Sequence, residues 1–374
     1  MRVLLACARD CSRGGALRQS LAAPIHWDLL LLEARHHGFS ALLHRQLTEL
    51  PEVSVPSGFR ESLAEQHRAS IQQGLQHTAV LVELMGLFRA ENLTALPYKG
   101  PVLSARIFGD PALREAADLD ILLPQDQVTD ACRLLAARGF HPIRAYKPGI
   151  ERQLLKYRAE IGMERDGVLV ELQWRLAPQY FSVHVDVRAL AKRAGPMTLA
   201  GAELPVMCVE DDLLVLCVHG AKHHWQSLKW ILDIDLLVRG SATISWSRLD
   251  QSAGDLGTRR ILSLGLLISH QLLETPLPVS IVEQIHRDVS LLALAASITA
   301  SLETQRAPSE VEHHGLMLRL RERISDRVLY GVRLGWQPTE SEWEVVSLPS
   351  GLQWLYHGVR LGRVLTKPLR LLLP

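Results

Sequence analysis

Residues 98–124 read YKGPVLSARIFGDPALREAADLDILLP. The run at 117–124, ADLDILLP, is apolar apart from its acids and is closed by Pro124, the pattern of a short buried strand. Asp is a poor strand former, and an ionised carboxylate is costly to bury without a partner. In a strand, residues i and i+2 point to one face. Asp118 and Asp120 therefore project together, while Leu119 and Ile121 go to the other side. Two carboxylates so close repel unless something positive lies between them, and a divalent cation is the natural answer. An Asp-x-Asp pair is a weak motif, however, and a turn-and-cap role at the start of the strand fits it equally.

The flanking sequence sets the context. LTALPYKG, ending at Gly100, reads as a short strand, and VLSARIFGD as a short helix. DQVTDACRLLAARG is a helix stopped by Gly139, and FHPIRAY a further strand. KYRAEIGMERDGVLVELQW predicts a hairpin turning at Asp166-Gly167. Strands alternating with helices, followed by a hairpin, indicate a small mixed sheet. The stretches on either side are helical in pattern. WDLLLLEARHHGFSALLHRQL carries leucines at helical spacing, and residues 61–91 form one long amphipathic pattern. DDLLVLCVHGAKHHWQSLKWILDIDLLVRG reads as a single long helix, with Asp211 or Asp212 as N-cap and Gly240 past its end. The expected fold class is α+β, in three parts: a helical region at 1–92, a mixed-sheet core at 93–206 and a helical region at 207–374.

A third carboxylate follows from the same logic. Two-metal phosphoryl chemistry needs an acid on a neighbouring strand. Glu171, in VLVELQW, shares a strand face with Leu169 and Gln173 and is the best candidate; a solvated sheet edge is the plainer alternative. A second Asp-x-Asp, Asp233 and Asp235 in WILDIDLLV, lies in a helical pattern. There i and i+2 diverge by about 200°, so the two cannot chelate one ion together. Asp233 is expected to face the cleft and Asp235 to face away.

On the long helical stretch, His219, Lys222, His223, Gln226, Lys229, Trp230 and Asp233 recur at three- and four-residue steps. They form a polar stripe that either lines a cleft or is simply solvated. His219 and His223 have zinc-ligand spacing, but Gly220 stands where a metalloprotease helix carries its Glu.

Composition bounds the rest. The chain has 374 residues, 47% hydrophobic and 22% charged, with a formal net charge of +1, so no global charge argument favours nucleic acid or membrane. A local contact with RNA or an anionic membrane stays open for the 351–374 tail, which holds His357, Arg360, Arg363, Lys367 and Arg370 and no acid. The alternative there is a packed helix end. Five scattered cysteines disfavour a disulfide framework and favour a reducing compartment. The apolar run before Cys7 is too short for a signal-peptide core, and no uninterrupted apolar run is long enough for a transmembrane helix. A cytoplasmic location is expected.

Taken together, Lys99-Gly100 after a strand, a short helix, Arg114 and then Asp118-x-Asp120 resemble the signature of the uncharacterised bacterial nucleotidyltransferase family. That family is a minimal branch of the DNA-polymerase-β-like superfamily. VELQW resembles the family's later acidic strand, with Gln173 near a position where His is more usual. CVHGAKHHWQSLKWILDIDLL resembles its helical segment, and the likeness covers most of residues 25–240.

The resemblance implies transfer of a nucleoside monophosphate from an NTP, ATP by default, to a hydroxyl, with release of pyrophosphate. It implies Mg²⁺, or Mn²⁺, held by Asp118, Asp120 and Glu171. Nucleotide contacts would come from Lys99, Gly100, Arg114, His219, Lys222, His223, Lys229 and Asp233. Pro101 replaces the second small residue of the superfamily's usual pair and lacks an N–H, which removes one backbone phosphate contact. A non-catalytic nucleotide-binding module, or an antitoxin-like protein-binding partner, is the alternative. The acceptor is not legible.

Overall fold

The computed structural model describes residues 1–13, 15–144, 150–346 and 348–370. Five strands make the central sheet: β1 (Leu96–Tyr98), β2 (Asp118–Leu122), β3 (His141–Pro142), β4 (Glu160–Arg165) and β5 (Val168–Gln173). Their order is β1-β2-β5-β4-β3, with β2 and β5 parallel and every other neighbouring pair antiparallel. The hairpin turns at Asp166 (φ 53°) and Gly167 (φ 77°). Two successive positive φ values match the right-handed twist of the flanking strands. Within FHPIRAY only His141–Pro142 is strand, and positions 145 and 146 lie outside the described residues. A second hairpin, β6 (Gly195–Leu199) with β7 (Ala202–Val206), follows.

The two faces of the sheet differ as the alternation requires. Leu119, Ile121, Val170 and Leu172 are buried on one face against Leu81, Leu84 and Phe88 of the Ser57–Ala90 helix. Val128, Ala131 and Leu135 of the Val128–Ala137 helix close the same core. Each such side chain contributes about 1.5–3 kcal/mol when fully buried. The opposite face carries Asp118, Asp120, Glu171 and Gln173 and looks toward helices from the second half of the chain.

Those helices share a core with the N-terminal ones. Leu4, Leu17, Leu43 and Leu63 belong to the same buried cluster as Leu216, Leu232, Ile268 and Leu302. The two ends of the chain therefore brace one wall of the site together.

The single helix expected at 211–239 is instead two, Val209–Lys222 and Leu228–Gly240. The chain reverses at His224 (φ 55°) and Trp225 (φ 46°), and Trp225 N–H bonds Gly220 O at 2.7 Å. The Trp225 ring is fully buried in the notch left by Gly220, where a Cβ would lie 2.3 Å from its Nε1. Cys208, not Asp211 or Asp212, is the N-cap. The two acids sit in the first turn, where they complement the helix dipole and pair with Arg193 and Arg106.

At the other end, Tyr356–Arg370 is a helix packed by ion pairs. Arg360 and Arg363 lie 3.7 and 3.3 Å from the buried Glu342. Among the described residues no helix is long and apolar enough to cross a membrane.

Candidate active site

The parallel register of β2 and β5 sets Asp120 opposite Glu171 and Asp118 opposite Leu169. One oxygen from each of Asp118, Asp120 and Glu171 lies within 4.8 Å of the others. Asp120 is buried, and the other two are half-buried. Burial pushes the Asp120 carboxyl up to about 6; Lys99 opposes the shift and Asp118 adds to it. Burial, then the charges of Glu160, Asp120 and Asp118, push Glu171 up to about 7. Oxygen-only donors, mutually repelling and poorly solvated, fit a hard divalent cation such as Mg²⁺ or Mn²⁺.

Two side chains hold this cluster. Gln173 Nε2 donates to Asp120 Oδ1 at 2.7 Å and to Glu171 Oε2 at 2.9 Å, and its Oε1 accepts the Tyr98 hydroxyl. One amide thus fixes one oxygen of each of two carboxylates. Lys99 Nζ lies 2.8 Å from Asp120 Oδ1 and 3.5 Å from His219 Nδ1. Its backbone (φ 57°, ψ −155°) and that of Gly100 (φ 49°) make the abrupt turn from β1 into the Gly100–Phe108 helix. A Cβ at Gly100 would meet only ordinary contacts, so it is the positive φ that calls for glycine there.

Behind the carboxylates, Arg114 Nε and Nη2 form a buried two-pronged pair with Asp233 at 2.7 and 2.8 Å. Lys229 Nζ donates to Glu115 O at 3.2 Å, and Ala41 N–H donates to Glu115 Oε1. The segment leading into β2 is therefore gripped by the Leu228–Gly240 helix and by the N-terminal helices.

The uncharacterised nucleotidyltransferase family matches residues 23–274. The chain belongs to this family. No protein of curated function matches it. Among solved structures, the crystal structure of ANT(2″)-Ia in complex with adenylyl-2″-tobramycin aligns at 11% identity and TM-score 0.35, over 49% of this chain and 98% of that one. An antigenic nucleotidyltransferase-like protein from Paracoccidioides brasiliensis aligns at 15% identity and TM-score 0.33, over 55% and 94%. Similarities this distant carry no weight for substrate or acceptor.

Within this nucleotidyltransferase the sequence-picked residues fall into two groups. Lys99, Gly100 and His219 adjoin the carboxylates. Burial and then the Lys99 charge hold His219 well below its ordinary pKa, so a neutral ring faces the ammonium. Arg114, Lys229 and Asp233 are joined to each other's neighbourhood by the contacts above. Arg114 is no surface charge, being only 7% exposed. Lys222 bonds Glu160 at 3.4 Å on the β4 side. His223, pushed down to about 3 by burial and then Lys222, packs with His219 and Trp230 at ring separations of 4.7 and 5.3 Å.

Gln226 leaves the expected stripe: it sits on the turn between the two helices and, with His224, borders a different cavity. Asp235 faces away, accepting Arg239 Nε at 2.9 Å and Thr275 Oγ1 at 2.7 Å. Among the described residues, the acidic triad is the one group of three or more His, Cys, Asp or Glu positioned to share an ion.

Sequence reasoning missed Tyr98, Glu160 and His77, and left Gln173 without a role. Glu160 pairs with Gln173 across β4 and β5, so the same alternation that placed Glu171 could have found it. His77 is 1% exposed on the Ser57–Ala90 helix, and burial lowers its pKa while Asp118 partly offsets that shift. Nothing in the local pattern distinguishes it from a core position.

Proposed function

We propose that this protein transfers a nucleoside monophosphate from an NTP, ATP by default, to a hydroxyl-bearing acceptor and releases pyrophosphate. The observation that carries the reading is the convergence of Asp118, Asp120 and Glu171 on one face of two paired strands. Bound Mg²⁺, or Mn²⁺ in its place, would neutralise the triphosphate and make the acceptor hydroxyl easier to deprotonate. Asp118 and Asp120 would hold the cation on the triphosphate side, and Glu171 the acceptor side. In the reaction an acceptor O–P bond forms at the α-phosphorus and the bond to the pyrophosphate oxygen breaks. Glu171, on the acceptor side, would also be placed to assist deprotonation of the hydroxyl.

Lys99 and the N-terminus of the Gly100–Phe108 helix would receive phosphate oxygens. His219, Lys222 and His223 would form the opposite wall, where Trp230 offers an aromatic surface, and Lys229, tied to Glu115 O, would act on the nucleotide from behind the carboxylates. Arg114 and Asp233 would act on the nucleotide by fixing the approach to β2. We further propose the boundaries 1–92, 93–206 and 207–374 as the functional layout. The free thiols of Cys132, Cys208 and Cys217 support a cytoplasmic setting.

The test is incubation of the full-length protein with each α-labelled NTP, Mg²⁺ and host extract, following pyrophosphate and the fate of the label. Asp120→Ala and Glu171→Ala are each expected to reduce turnover by more than about 100-fold, beyond what outer residues around a metal typically cost. Tight nucleotide binding without pyrophosphate release would favour the non-catalytic module instead.

A further inference from the structure

A cavity of about 310 Å³ lies beside the β4 edge of the carboxylate face. That is the lower end of the range for small-molecule sites. Its inner lip is Glu160 with its partner Lys222, and Glu160 stands one strand beyond Glu171 on the same face. Across the sheet the order is therefore Gly100 turn, Asp118 and Asp120, Glu171, Glu160, cavity. The triphosphate side and the cavity lie on opposite flanks of Glu171.

The outer wall comes from residues 333–360, beyond the 23–274 stretch that the family shares. Four cations line the space, Arg158, Lys222, Arg333 and Arg360, against two carboxylates, Glu160 and Glu340. Lys222–Glu160 and Arg158–Glu340 pair off, the latter at 2.9 Å, while Arg360 lies 3.7 Å from Glu342 behind the lining and donates Nη2 to Leu334 O at 3.0 Å. Arg333 donates to neutral oxygens, Gln179 O and Ser182 Oγ. Among the described residues, Arg158 Nε, Arg360 Nε and Trp343 Nε1 are buried with no hydrogen-bond partner. All three are donors on lining residues, and buried donors call for acceptor oxygens. Tyr157, Tyr180 and Trp343 supply aromatic walls.

We propose that this cavity is the acceptor pocket and that the acceptor is a small organic anion. Its carboxylate or phosphate group would be held among Arg158, Arg333 and Arg360, with its hydroxyl presented past Glu160 toward Glu171. This rests on the nucleotidyltransferase reading above. The C-terminal helices then set acceptor choice, while the shared region binds the nucleotide.

The experiment is calorimetric titration of the full-length protein, loaded with Mg²⁺ and a non-hydrolysable ATP analogue. The probes are glycerol 3-phosphate, glycerate and, as neutral control, glycerol. Binding of at least one anion but not of glycerol is expected, and the anion that binds tells phosphate from carboxylate. Arg360→Gln and Arg158→Gln are expected to weaken it at least about tenfold, the range for hydrogen bonds to charged groups. Ser341→Phe, at an exposed lining position, is expected to block binding without unfolding the protein, as checked by its melting temperature.

No anion binding, equal binding of glycerol, affinity unchanged in all three variants, or binding only when the nucleotide is left out would overturn the proposal. The last result would place the anion in the triphosphate site. Binding of the ATP analogue to wild type and to Asp118→Ala is measured separately. Its absence in wild type would sink the nucleotidyltransferase reading, whereas a failure of the anions alone would sink only the pocket.

Discussion

Gln173 is an uncharged side chain whose value lies in its neighbours' charges. Its amide donates to Asp120 and Glu171 at once, and its carbonyl is held by Tyr98, so it fixes the separation of two acids that would otherwise drift apart. Replacing it with Leu keeps the volume and removes both donors. Cation affinity, followed by Mn²⁺ titration, is expected to fall by about 10–100-fold. A change below twofold would mean that the strands alone hold the carboxylates. Gly220 shows the reverse case, a residue that acts by what it lacks. The space it leaves admits the Trp225 ring and lets the chain turn between two helices.

Between elements, a two-pronged buried pair ties Arg114, just before β2, to Asp233 on the Leu228–Gly240 helix. Both side chains are buried, and breaking such a pair leaves one uncompensated charge, at a cost of about 3–5 kcal/mol. Asp233→Leu and Arg114→Met are each expected to destabilise by that order in urea unfolding. The combined Arg114→Met, Asp233→Leu variant is expected to recover most of the loss, since an apolar pair of similar volume is often neutral. Simple additivity of the two single effects would show that the residues do not act as a pair.

For the molecule as a whole, the carboxylate face links folding, pH and metal. Without metal, Asp120 and Glu171 hold protons more tightly in the folded chain, at about 6 and about 7, than at their ordinary values of 3.8 and 4.5. Ionising them in the folded state therefore opposes folding, and their contribution to stability is lost as pH rises from about 4 through about 7. A cation that binds the ionised forms reverses the loss. The rise in melting temperature on adding Mg²⁺ is thus expected to be small at about pH 5.5 and larger at about pH 8. It should vanish in an Asp120→Asn, Glu171→Gln variant. An equal rise at both pH values, or a rise that survives in the variant, would place the Mg²⁺ effect elsewhere.

Local alternation was enough to read β2, the β4–β5 hairpin and the shared face of Asp118, Asp120 and Glu171, because a strand's period of two is written into adjacent residues. Helical spacing likewise marked the flanking regions. It did not reveal the break at 223–227, because the 3.6-residue pattern runs on through the turn and the cause is one indole finding a gap beside Gly220. The ties of Lys99 to His219, Arg114 to Asp233 and Lys222 to Glu160 join residues 62–120 positions apart. Periodicity states which side of an element is buried, but not against what. The partners of each charged group, and the cavity walled by residues 157–160 and 333–360, arise only when distant segments pack together.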